Sequence, residues 1–263
     1  MKIAFFEDRY FEVYGAQENL LLLAELVNSD ERYNCEFITT WPGKLQDAAE
    51  KRDLSVTVVE APEILRKFEK HAIRGGVVRL IRASFLSMTY SLRAFNSLNK
   101  MNVDVVVISS IRASLLLTIT RIFGSQRTIL FAQNSTPFGI FSAFALPGVD
   151  FIGLISTGSR TTFPDWAIRR YEDKIRDLAS GRDLKKFVRS DRDEPSNVTK
   201  YVTVCSITKR KGLHVLLNAF KQLQASVENV SLNIIGGTSG DDSEKYLQEL
   251  KNFASENNLN VSF

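Results

Sequence analysis

Two histidines, His71 and His214, and two cysteines, Cys35 and Cys205, are the only imidazole and thiol groups in 263 residues. Neither histidine belongs to an HExxH pair or stands beside clustered carboxylates, so no metal site is assigned. The cysteines lie far apart without metal-ligand spacing, each inside a strand-like apolar run at 34–38 and 202–205. They read as reduced core residues, which suits a cytoplasmic protein. A GxxxxGK[ST] loop is missing, against a P-loop ATPase, and Ser156-Thr157-Gly158-Ser159 is not a GxSxG elbow, so a serine hydrolase has no support. Long apolar runs are missing too. The most apolar stretch, 103–123, is cut by Asp104, Arg112 and Arg121 and falls short of the roughly 18 residues of a membrane span. At the N-terminus Glu7 and Asp8 arrive too early for a signal-peptide core, so residues 1–6 read as a first strand.

What is present is an ordinary globular composition, 44% hydrophobic and 24% charged, enough for one large or two modest domains. The net charge of +4 comes from lysines and arginines spread along the chain, so no nucleic-acid partner is expected. One segment departs from this. Over 64–85, Arg66, Lys67, Lys70, Arg74, Arg79 and Arg82 alternate with apolar residues such as Leu65, Phe68, Ile73 and Ile81. Such a helix suits peripheral contact with anionic lipid at the inner face of a membrane; the alternative is a solvated face whose long basic stems cover the core edge.

Short runs rich in Val, Ile and Phe alternate with helical patterns, the order that builds parallel sheets with crossover helices, an α/β fold. Strands are expected at 2–7, 35–40, 55–60, 104–109, 128–133, 151–155 and, more weakly, 175–179. A helix is expected through Leu20, Leu23, Ala24 and Val27, and another over 114–122. Sheets of this type bind ligands outside the carboxyl ends of their strands, so the loops after Glu7, Ser109 and Gln133 should line one cleft. Charge, Pro195 and turn formers then mark a junction. The domains are read as 1–185, a linker at 186–199, and 200–263, the last opening with a strand at 201–207 and a helix through Leu213, Leu217 and Phe220. A strand at 231–235 and a helix marked by Tyr246 and Leu250 follow, and residues 260–263 read as a third strand just beginning. Two strands and a stub leave sheet edges unpaired, so the second domain is expected to be partial.

Candidate chemistry gathers in the loops. Thr208-Lys209-Arg210-Lys211-Gly212 joins a strand to a helix, where free N–H groups, the helix dipole and three cations would make an anion site; a solvated basic turn is the alternative. Gly236 and Gly237 end the next strand and would admit a ligand close to the backbone, although a plain turn explains them equally. In the first domain Gly15 opens a helix, and Gln133-Asn134-Ser135-Thr136 offers amides and hydroxyls to sugar hydroxyls or to helix capping. His214 reads as a surface helix residue.

Taken in order, these pieces resemble the family 4 retaining glycosyltransferases of the two-lobed GT-B fold, two Rossmann-like lobes, over essentially the whole chain. Gly15 is similar to the family's N-terminal glycine loop. Residues 179–187 resemble its Asn-Gly-Val-Asp…Phe junction, Cys205 to Leu213 its Gly-Arg-Leu…Lys-Gly element, and Leu232 to Gly237 the strand ending Val-Gly-Gly. The resemblance implies a nucleotide-sugar donor whose diphosphate is held by Lys211, with Gly15, Ser206, Lys209, Arg210, Gly212, Gly236 and Gly237 around the donor and Gln133 and Asn134 on the acceptor or sugar side. It further implies a glycan or lipid-linked acceptor, and no cofactor or metal. Lys211 would steady the charge growing on the departing diphosphate, acting as an electrostatic catalyst.

This sequence departs from the pattern in three places. Ser206 stands where the family has an arginine, with Lys209 or Arg210 available to replace it. Gln133 or Asn134 stands where a histidine is common. The family's Glu-x7-Glu element would fall beyond Phe263, so the chain as given is expected not to turn over. The same features fit two alternatives, a catalytically inactive nucleotide-sugar-binding scaffold and a GT-B nucleotide-sugar epimerase.

Overall fold

Seven short strands of the N-terminal part align in one parallel sheet, ordered β3-β2-β1-β4-β5-β6-β7. They are β1 (Lys2–Glu7), β2 (Asn34–Thr39), β3 (Ser55–Val58), β4 (Val105–Ile108), β5 (Arg127–Ala132), β6 (Phe151–Leu154) and β7 (Ile175–Asp177). This computed structural model describes residues 1–8, 13–66, 76–133, 139–179, 181, 197–238 and 240–263; at 66, 76–80 and 140 it describes the backbone alone. By its contacts the chain divides into two compact units, Met1–Leu184 and Lys185–Phe263.

The strands of the first unit are continuous apolar runs because both faces of their sheet are covered. Phe5, Phe37 and Val107 point one way, onto Leu20, Leu21 and Ala24 of α1 (Gly15–Asn28) and Leu45 and Ala49 of α2 (Lys44–Glu50). Phe6, Ile38, Val106, Ile108 and Leu130 point the other way. They meet Tyr90, Ala94 and Leu98 of α4 (Gly76–Lys100) and Ile111, Ala113 and Leu116 of α5 (Ile111–Leu116). The short helices α3 (Glu63–Arg66), α6 (Thr118–Phe123), α7 (Ser142–Ala145) and α8 (Asp165–Tyr171) complete the unit. Strand order reverses between β1 and β4, which makes their carboxyl ends the switch point where sheets of this kind leave a crevice.

The single helix expected over 114–122 is two. The chain leaves helical geometry at Leu117 (φ −107, ψ 26), between α5 and α6. Arg121, only 4% exposed, folds back across the break: Nε donates to the Ser114 carbonyl at 2.9 Å and Nη2 to that of Phe144 at 2.9 Å, with Nη1 on Pro147. Burial lowers its pKa to about 10. Carbonyl oxygens thus do for this cation what water does elsewhere.

The second unit holds three parallel strands ordered β10-β9-β8: β8 (Thr199–Val204), β9 (Val230–Ile235) and β10 (Val261–Ser262). Helices α9 (Leu213–Ser226) and α10 (Asp241–Glu256) alternate with them. Val230, Leu232 and Ile234 pack against Leu213, Leu217 and Phe220 of α9 and Tyr246 and Leu250 of α10. The opposite face carries Val202, Val204 and Ile235, exposed by 57, 74 and 54%. The two cysteines differ accordingly. Cys35 is buried, whereas Cys205, expected in the core, is only partly buried at the edge of the second unit's cluster.

Candidate functional site

The basic loop falls where a parallel strand hands over to a helix. After β8 the chain passes Ser206 and Ile207, makes a 3-10 turn at Lys209–Lys211, and enters α9 through Gly212 in the left-handed region (φ 68). A residue with a β-carbon is strained there, which is the local reason for Gly212. Several amides that could have met an anion are engaged. Lys211 N–H donates to the Thr208 carbonyl (2.9 Å), Gly212 N–H to that of Lys209 (3.1 Å), and His214 N–H to the Tyr246 hydroxyl (3.0 Å). The cations remain outward: Lys209, Arg210 and Lys211 are all exposed. Lys209 Nζ stands 3.8 Å from Glu249 and 5.9 Å from the centre of the Tyr246 ring, so α10 draws it aside.

His214 has more to do than a plain surface residue. Its Nδ1 lies 2.9 Å from the Tyr246 hydroxyl, which also accepts the His214 amide. Tyr246 is 3% exposed and fixes the first turn of α9 against α10.

The glycine pair is joined to this loop. The β8–β9 pairing continues beyond the strands, with Cys205 N–H donating to Ile235 (3.0 Å) and Ile207 N–H to Gly237 (2.9 Å). A β-carbon at Gly236 would stand 1.8 Å from the Cys205 carbonyl oxygen, so strand packing alone demands glycine there. At Gly237 nothing lies within 4 Å. Of the two, only Gly237 has open space where a β-carbon would stand.

In the first unit Gly15 begins α1, exposed, with open space where a β-carbon would stand. Four residues on, Asn19 Nδ2 donates to Oε1 of Gln133 (3.2 Å), which is 8% exposed at the end of β5. The structure thus brings Gln133 to the second turn of the helix Gly15 opens, and Gln133 Nε2 is buried with no hydrogen-bond partner among the described residues. Asn134 lies outside the described residues, as do 67–75 of the basic segment. A groove of about 90 Å³ beside Asn19, lined by Leu22, Leu23, Leu26, Phe131, Ala179 and Gly181, is well below the roughly 300 Å³ of a ligand pocket.

Sequence reasoning missed a polar cluster at the switch point. Asp8, 3% exposed, follows β1; its Oδ1 accepts from Ser110 Oγ (2.9 Å), its Oδ2 pairs with Arg112 Nε (3.0 Å), and its carbonyl accepts from Thr40 Oγ1 (3.0 Å). Burial, and then the charge of Asp8, push the Tyr90 hydroxyl above its ordinary pKa. Tyr90 and Ser109 keep buried hydroxyl oxygens with no hydrogen-bond partner among the described residues. The available signal was an aspartate directly after an apolar strand and Ser109-Ser110 after another.

With this geometry the fold is that of the GT-B glycosyltransferases, an α/β architecture of parallel sheets and helices. Anabaena HepE, solved with UDP and glucose, matches all of this chain and 68% of its own at a TM-score of 0.73 and 15% identity. A Rickettsia africae glycosyltransferase matches 99% of this chain and 67% of its own (TM-score 0.70, 14% identity). The E. coli trehalose-6-phosphate protein bound with UDP-2-fluoro glucose matches 98% and 70% (TM-score 0.66, 11% identity). A family profile described as glycosyl transferases group 1 matches residues 185–263, the second unit with its basic loop and glycine pair. Curated protein sequences yield no match.

Proposed function

We propose that the chain serves a nucleotide-sugar-dependent glycosyltransferase of family 4, moving a sugar to a hydroxyl on a glycan or lipid-linked acceptor with retention of configuration. The second unit is the donor side and the first the acceptor side, with Gln133 on the acceptor or sugar side. The observation that carries this reading is the exposed Arg210 and Lys211 in the turn after β8, which follows closely on Ile207, whose N–H donates to the carbonyl of Gly237 beyond the end of β9. Support comes from the group 1 profile over the same residues and from fold neighbours solved with UDP or a UDP-sugar.

In this reading the diphosphate lies on the basic loop. As the sugar–phosphate bond lengthens, negative charge grows on the leaving oxygen, and Lys211 stabilises it with no metal required. Arg210 takes the place of the arginine that Ser206 lacks, since Lys209 is drawn toward Glu249. We place the enzyme in the cytoplasm, where nucleotide sugars are available, peripheral to the membrane that would present a lipid-linked acceptor.

Titration calorimetry with UDP, and label transfer from UDP- and GDP-sugars by a polypeptide that also carries the Glu-x7-Glu element, test this. Lys211→Ala should weaken UDP about tenfold or more, the worth of one charge-assisted hydrogen bond, and reduce transfer further. Unchanged affinity and transfer in that variant would end the proposal. Binding without hydrolysis or transfer in the unsubstituted protein would favour the inactive scaffold motivated by Ser206.

A further inference from the structure

The helix α4 is apolar on two opposite sides. Ala83, Tyr90, Ala94 and Leu98 pack into the core. Ile81, Phe85, Met88 and Leu92 point outward with 63, 67, 51 and 49% exposure. Their spacing of four, three and four residues lines them into one stripe about 16 Å long. Scattered exposed apolar residues need no explanation, but four in register on one helix do.

Charge decides what covers the stripe. All the charged residues of α4 are basic: Arg79, Arg82, Arg93 and Lys100, with no aspartate or glutamate in 25 residues. Arg82, Arg93 and Lys100 are exposed and recur at 11 and 7 residues, so they form a row about 100° round the helix from Ile81. An apolar stripe beside a purely cationic row is the pattern of a helix lying in an anionic lipid interface. A second copy docked antiparallel by a two-fold axis would bring two cationic rows together, which disfavours that mode of self-association. The neighbouring α6 is tied to α4 by the Ile119 amide on Ser91 Oγ (2.8 Å) and ends in exposed Ile122 and Phe123.

We propose that this face of α4 docks on an anionic lipid surface, with Ile81, Phe85, Met88 and Leu92 entering the acyl boundary and Arg82, Arg93 and Lys100 meeting lipid phosphates. The place overlaps the end of the segment 64–85 singled out in the sequence, through Ile81, Arg82 and Phe85, and runs on to Lys100; at the segment's start Leu65 is buried in the core and Ile64 packs against it. The inference stands apart from the transfer reading, because lipid binding is measured without nucleotide or acceptor.

The test is co-sedimentation of the 263-residue chain with vesicles of phosphatidylcholine alone or mixed with phosphatidylglycerol. At low salt the protein should pellet with the mixed vesicles only, and release at about 1 M salt, where the Debye length is about 3 Å. Phe85→Ser with Met88→Ser should weaken binding at least tenfold, and Arg82→Glu with Arg93→Glu likewise, each with an unchanged circular dichroism spectrum. Phe85→Trp should show a blue-shifted emission on the mixed vesicles. The proposal is overturned if the unsubstituted chain stays in the supernatant at low salt, or if both double variants bind as it does. It is equally overturned if sedimentation velocity shows a dimer that Phe85→Ser with Met88→Ser dissolves, for then a second copy covers the stripe.

Discussion

The two sheets of this chain are covered differently. That of the first unit has helices on both faces, and its central strands read Ile3-Ala4-Phe5-Phe6 and Val105-Val106-Val107-Ile108, apolar without alternation. That of the second unit has helices on one face among the described residues, and β9 alternates Val230, Leu232 and Ile234 inward with Ser231, Asn233 and Ile235 outward. Burial on one face asks for every second residue to be apolar; burial on both asks for all of them. The exposed Val202, Val204 and Ile235 are the exceptions, apolar on the uncovered side.

Each unit carries one cysteine, and thiol labelling during urea unfolding can follow them separately. Phe5→Ala should cost about 4 kcal/mol, the usual loss for a fully buried ring, and bring Cys35 labelling to lower urea while leaving the Cys205 midpoint in place. A joint shift of both midpoints would break the comparison, since the units would then unfold as one. Gly236→Ala should cost about 2 kcal/mol by forcing β9 off the Cys205 carbonyl, and should move the Cys205 midpoint; Gly237→Ala, with open space, should not. Tyr246→Phe removes the acceptor of the His214 amide and should cost about 1 kcal/mol, again seen only at Cys205.

The smallest effect needs no substitution. In the folded protein Cys205 should react with a thiol reagent first, because burial pushes the Cys35 thiol up to about 11 from an ordinary 9.0. A folded pKa above the unfolded one means the folded state holds its proton longer. Cys35 should therefore weaken the fold as pH rises from about 9 to about 11, and contribute no such loss below that window. Faster labelling of Cys35 would contradict the burial that sets the two sheets apart.

The strands of the first unit were legible because double-sided burial leaves runs such as Val105 to Ile108 that only a strand of that length explains. The break at Leu117 was not, since it depends on Arg121 reaching carbonyls of Phe144 and Pro147, more than twenty residues away. At the candidate site, the order of Lys211, Gly212 and the glycine pair was visible, but not that Gly236 answers to the Cys205 carbonyl or that Lys209 leans toward Glu249. Asp8 went unnoticed because its partners, Ser110 and Arg112, lie about a hundred positions downstream. Of the outward stripe of α4, Ile81 and Phe85 fell within the basic segment 64–85 and Met88 and Leu92 beyond it; which side a repeat faces is settled by packing, not by spacing.

The hydrogen bonds that run on past β8 and β9 have one more effect. With Cys205 hooked to Ile235 and Ile207 hooked to Gly237, the cationic turn and the glycine corner cannot drift apart without unzipping the ladder. Were both to touch one ligand, as proposed above, they would meet it already joined, and little ordering entropy would be left to lose on capture.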